Sequence, residues 1–158
     1  MMDCRDMHNL KHEKLICDLL KNGKTIRFEE FFEINDEKEA FRYGFKEPHS
    51  ENHQINYYLR RYNTKKQPKK EDVTGLCSLS CFEDADFAIT NYNNTLKRHR
   101  QFPKTAGESL FHGILCVGDG YINSADSKKH FDFFETVVCD MNKFNIIIDE
   151  IKIIGDSL

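Results

Sequence analysis

An α+β fold is what this sequence predicts, on three observations. Apolar residues recur at helical spacing through the first twenty positions, and a second helical stripe follows residue 80. From Leu110 the chain changes to short apolar runs separated by turn residues. The expected architecture is an N-terminal helix, a central sheet drawn largely from the C-terminal half, and one helix after residue 80. With 158 residues the chain is read as a single domain over 1–158, large enough to bury a core without disulfides or metals.

In order along the chain, Met7, Leu10, Leu15, Ile16, Leu19 and Leu20 mark the first helix, and Asn22-Gly23 stops it. Ile26 to Ile34 has a mixed pattern around Phe28, Phe31 and Phe32. Asp36 to Ala40 reads as a short helix or turn. It leads into Phe41-Arg42-Tyr43-Gly44-Phe45, which alternates like a strand, with Gly44 as a bulge or a close backbone approach. Lys46 to Asp72 is polar, with Pro48, Pro68, His49, Glu51, His53 and a basic run from Arg60 to Lys70. A flexible surface loop is expected near 64–71.

Gly75 to Ala88 then joins a strand to a helix. Ser78 and Ser80 fall on one face if that segment is a strand, and Ser80 with Glu83 forms a capping box for the helix that follows. Ala85, Ala88, Ile89, Tyr92 and Leu96 give its apolar stripe, ending near Lys97-Arg98. Leu110 to Val117, Phe131 to Cys139 and Phe144 to Ile154 read as sheet runs, with Gly118-Asp119-Gly120 a tight turn into Tyr121-Ile122.

Composition narrows the function classes. A net charge of −3 gives no strong pull toward nucleic acid, which is therefore a disfavoured partner. Met1 to Leu20 carries charges throughout and no run is long enough to span a bilayer, so a cytoplasmic protein without membrane contact is expected. Six scattered cysteines fit reduced thiols. Cys77 and Cys81 stand four apart without a second matching pair, and no metal is expected.

Three residue groups stand out chemically. Arg42 places a fork of donors suited to phosphate or carboxylate within an aromatic strand. Ser78 and Ser80 bring hydroxyls to a strand-to-helix junction. Glu135 closes the run Phe131-Asp132-Phe133-Phe134-Glu135, where a carboxylate needs a partner or a cleft. Plainer readings stand beside each: Arg42 facing solvent with Tyr43 inward, Ser80 as a helix cap, Glu135 solvated on an edge strand.

Together these pieces resemble ADP-ribosyltransferase-like domains, which carry an Arg on an early strand, a Ser-Thr-Ser-like strand running into a helix, and a Glu on a late strand. Arg42, Ser78-Leu79-Ser80 and Glu135 match in that order, with Glu150 competing for the last place. The resemblance implies NAD bound in a cleft of a split sheet. Arg42 and Tyr43 would lie on the cofactor, Arg42 at its phosphates. Ser78 and Ser80 would support the nicotinamide side, and the Glu would engage the ribose and stabilise an oxocarbenium-like transition state. Leu79 stands where the family has Thr and Phe133 lies two before Glu135, which speaks against protein arginine as acceptor.

Two further readings come from other classes. One is a non-catalytic binding module, immunity or regulatory in type, meeting a protein partner through the Lys46–Asp72 loop. The other is a nucleic-acid-acting protein with His112 and His130 as an acid–base pair and the basic runs, with Tyr57, Tyr58 and Tyr62, as contacts.

Overall fold

The computed structural model describes residues 6–47, 52–57 and 67–151. Its helices are α1 (Glu13–Lys21), the single turn α2 (Thr74–Cys77), α3 (Ala85–Arg98) and α4 (Phe102–Ala106). Its strands are β1 (Phe32–Glu33), β2 (Lys38–Gly44), β3 (Leu79–Phe82), β4 (Ser109–Leu115), β5 (Gly120–Ile122), β6 (His130–Glu135) and β7 (Asn145–Ile148). The fold is α+β: among the described residues one antiparallel sheet runs in the order β1-β5-β6-β3-β2-β4-β7, with helices on both faces. No helix of the described residues is long and apolar enough to cross a membrane.

The period of two along β2 sorts the two faces. Ala40, Arg42 and Gly44 are buried on one side, where the larger core gathers Leu15, Ile16 and Leu19 of α1 with Phe31, Phe131 and Phe133. Phe41 and Tyr43 point to the other side, against a smaller core of Phe82, Ala88 and Tyr92 from β3 and α3. Tyr43 is fastened there: its hydroxyl donates to the Ala88 carbonyl at 2.6 Å and accepts from Asn91 at 2.9 Å.

The two halves of the sheet join weakly. β2 pairs with β4 from Lys38 opposite Leu115 to Gly44 opposite Ser109, whereas β2 and β3 share a single register pair, Phe41 with Phe82. Beyond it the Arg42 side chain takes over, its Nε donating to the Ser80 carbonyl at 3.4 Å. On the other flank, Gly107 adopts a φ of +94° with its α-carbon against the Gly44 backbone; an added Cβ would sit 2.1 Å from the Gly44 oxygen.

Several sequence expectations need correction. Asp36 to Ala40 is not a helix or turn throughout, because β2 already begins at Lys38; Ala40 is fully buried opposite Gly113, Glu39 points away from the core, and Lys38, on the face of Ala40, lays its ammonium over the Phe131 ring. The Ser80–Glu83 capping box does not form. Ser80 is held mid-strand opposite Asp132, Glu83 pairs with Lys38, and the helix starts at Ala85 with Asp84 accepting from the Phe87 amide at 3.1 Å. Ser78 precedes β3 rather than sharing a strand face with Ser80. Where one helix after residue 80 is expected, the described residues include both α3 and α4. The run after Phe131 is strand only to Glu135; the run after Phe144 is strand over Asn145–Ile148, and its last residues, 152–154, lie outside the described residues. The expected loop lies partly outside the described residues, as do His49, Glu51, Tyr58 and Tyr62.

Candidate functional site

Glu135 ends β6 on the larger-core face, next to the stretch that leads into α1. That stretch is zipped to the strand by main chain: Leu10 bridges Thr136, the Lys11 amide donates to the Glu135 carbonyl at 3.1 Å, and the Val137 amide to Asn9 at 2.8 Å. The zipper delivers two hydrogen-bonding side chains to the carboxylate. Lys11 Nζ donates to Oε2 at 2.6 Å and His12 Nε2 lies 3.2 Å from Oε1. Glu135 is 3% exposed. Burial pushes its carboxyl up, but the hydrogen bonds from His12 and Lys11 outweigh this and hold it below the usual carboxylate value. An ionised carboxylate offers about four acceptor positions, so both oxygens retain capacity for hydroxyl donors.

Arg42 rises from β2 on the same face and is 7% exposed. Its NH1 reaches His53 Nδ1 at 3.3 Å. His53 is placed by Asn52, whose side-chain amide grips the Phe45 backbone at both the amide and the carbonyl. Burial first, and the guanidinium second, drive His53 down to about 4, so at neutral pH it is uncharged and its Nδ1 accepts from Arg42. Burial also lowers Arg42, against the pull of Cys81, Glu135 and Cys139. Among the described residues no carboxylate lies within ion-pair distance of Arg42. Among the described residues this buried guanidinium meets a carbonyl and a neutral imidazole, which leaves charge for an anion to match.

The five residues singled out from sequence therefore divide. Arg42 and Glu135 share one face, neither on the surface nor on an edge strand. Ser80 and Tyr43 lie on the opposite face and line a cavity of about 400 Å³ with Phe82, Asn91 and His130. Ser78 is buried beside α2, its hydroxyl donating to the Thr74 carbonyl at 2.8 Å. Glu150 is exposed beyond β7. Lys11 and His12 escape the sequence reading, since nothing local ties residues 11 and 12 to a strand more than a hundred positions later, and the sequence marks His53 only as one of the polar residues of its loop, not as a neighbour of Arg42.

The histidine pair imagined for nucleic-acid chemistry does not assemble. His112, Phe41, Phe82 and His130 form one row across β4, β2, β3 and β6. Three strand spacings put the imidazoles about 14 Å apart, with two phenylalanines between them. The described thiols, Cys17, Cys77, Cys81, Cys116 and Cys139, are all free. Burial pushes Cys77, Cys81 and Cys139 up to about 12, which keeps them protonated and poor nucleophiles. No group of three or more potential metal ligands occurs among the described residues.

No family model matches the chain, and no curated protein or solved structure shows detectable similarity to it.

Proposed function

We propose that the chain is an NAD-using protein of the ADP-ribosyltransferase type, with Arg42 on the cofactor's phosphates and Glu135 on the ribose next to the nicotinamide. The observation that carries this reading is the arrangement of three strands. The Glu strand β6, the Ser strand β3 and the Arg strand β2 are consecutive neighbours, Arg42 and Glu135 emerge on one face, and β2 and β3 meet at a single register pair. A sheet that opens beside a buried cation without an anionic partner among the described residues suits an anionic ligand lodged in the split.

In this reading Arg42 binds by charge and by its planar donor fork. Glu135, kept ionised by Lys11 and His12, accepts from ribose hydroxyls and stabilises positive charge developing on the sugar as the bond to nicotinamide breaks. When bound, NAD supplies the electrophilic sugar carbon and the leaving group. Ser80 and Tyr43, on the far face, fall outside this site, and Ser78 supports the strand start from within the fold. His53 covers Arg42, so binding of the cofactor requires the 52–57 segment to shift.

Calorimetric titration with NAD tests this. Saturable heat is expected at or below about 1 mM, a binding free energy of about −4 kcal/mol or better. Arg42→Lys keeps the charge and loses the fork, and should weaken binding about tenfold or more. Glu135→Gln should leave phosphate affinity nearly intact while abolishing release of nicotinamide from NAD. Wild-type protein that gives no heat with millimolar NAD overturns the reading and leaves the non-catalytic binding module ahead.

A further inference from the structure

We propose that Ser80 is a nucleophile, with His130 as its base, in a second site that takes small aryl or acyl esters. This site is on the opposite face of the sheet from Arg42 and Glu135 and does not depend on NAD. Its geometry begins with one contact: Ser80 Oγ lies 2.6 Å from His130 Nε2. In the tautomer protonated on Nδ1, Nε2 accepts the Ser80 O–H, the arrangement in which a hydroxyl loses its proton as it attacks.

The pair is built into the fold. Ser80 stands mid-strand opposite Asp132, flanked on its own face by Phe82. The His130 ring packs edge-to-face on Phe82, with centroids 5.2 Å apart. Its main chain is fixed by a turn in which Asp126 Oδ1 accepts from the amides of Lys128, at 2.8 Å, and His130, at 3.0 Å. That turn holds Lys129 at a φ of +62°, a left-handed conformation a lysine rarely adopts. Neither partner of the Ser80–His130 contact is buried away from solvent.

Both groups open into the cavity of about 400 Å³, whose aromatic side is Tyr43, Phe82 and Phe102 and whose polar side includes Asn91, Thr95 and Lys128. The volume lies in the range of small-molecule sites, and aromatic walls with a few polar groups are the usual lining of one. An ester with an aromatic or short acyl part fits that division, its ring on the phenylalanines and its carbonyl toward Ser80. Lys128 at the rim offers positive charge to a carbonyl oxygen gaining negative charge.

The step balances as an ordinary acyl transfer. Ser80 Oγ bonds to the carbonyl carbon while its proton passes to His130 Nε2. The carbon–oxygen bond to the leaving alcohol breaks, and the alcohol takes that proton. Water gives a proton to His130 as it attacks the acyl-serine; the bond from the acyl carbon to Ser80 Oγ breaks, Oγ takes that proton back, and the carboxylic acid leaves.

Incubation of the whole protein with p-nitrophenyl acetate, and separately with a fluorophosphonate, followed by peptide mass spectrometry, tests the proposal. Label is expected on Ser80 ahead of every other serine, with a burst of p-nitrophenol. Ser80→Ala should abolish the burst, and His130→Gln should slow labelling about a hundredfold while the melting temperature stays close to wild type. Localisation of label in the wild-type chain needs no variant to fold. Absence of label on Ser80, or labelling of His130→Gln at the wild-type rate, overturns the proposal.

Discussion

Buried ionisable residues around β2 and β6 make stability depend on acid in two separate windows. His53 titrates near 4 in the fold against an ordinary 6.5, because burial and the neighbouring Arg42 disfavour its cation. A depressed histidine favours the fold fully above about pH 6.5, and that contribution is lost as pH falls toward 4. Glu135 is also depressed, by the His12 and Lys11 hydrogen bonds that outweigh its burial. Its contribution is complete above the ordinary carboxylate value and disappears as pH falls through the lower folded value. Urea midpoints should therefore decline in two stages. His53→Gln should flatten the stage between pH 6.5 and 4, and Glu135→Gln the stage below it. At pH 7, Glu135→Gln should cost about 2 kcal/mol, because Lys11 and His12 lose a charged acceptor that is itself buried. A wild-type midpoint unchanged between pH 7 and 5 would mean that His53 does not stay neutral beside Arg42.

At the scale of elements, local patterns identified helices better than strand ends. Ala88 and Tyr92 are buried as the stripe in α3 requires, and the helix runs to Arg98 with basic residues in its last turn. The cap was misplaced because Ser80 and Asp84 are both acceptable N-caps, and the choice was made by tertiary structure: the β6 ladder claims Ser80 and leaves Asp84 for the helix. Asp84→Ala should therefore destabilise the protein by about 1 kcal/mol in urea unfolding, while Ser80→Ala leaves α3 intact and shifts stability by less than about 0.5 kcal/mol. The reverse order of effects would restore the capping box. Strand β2 was visible through its aromatic alternation, but its first three residues were hidden. Their strand pairing comes from β4, some seventy positions downstream, and no local pattern encodes it. A still longer separation, more than a hundred positions, hides the link between Lys11, His12 and Glu135, although the buried acid itself stands out because a carboxylate among phenylalanines needs partners.

Across the whole molecule, the join between β2 and β3 is the feature on which the functional reading turns. The β1-β5-β6-β3 half and the β2-β4-β7 half share one register pair, and the Arg42 side chain spans the rest of the gap. Packing on both faces, rather than the ladder, then holds the halves together: Tyr43 meets Phe82 at 5.7 Å and Tyr92 at 5.1 Å between ring centroids. Main-chain amides along the facing edges of β2 and β3 should consequently exchange with solvent faster than those paired between β2 and β4, since opening there breaks few hydrogen bonds. A ligand that bridges Arg42 and Glu135 spans this join and must disfavour its opening. With NAD at about ten times its Kd, exchange of these amides should slow about tenfold, the mass-action effect of a ligand that binds only the closed form. Amides of β4 and β7 far from the join should change less. Slowing spread evenly over the sheet would mean that NAD stabilises the fold without bridging its halves, and unchanged exchange at the β2–β3 join would remove Arg42 and Glu135 from a common site.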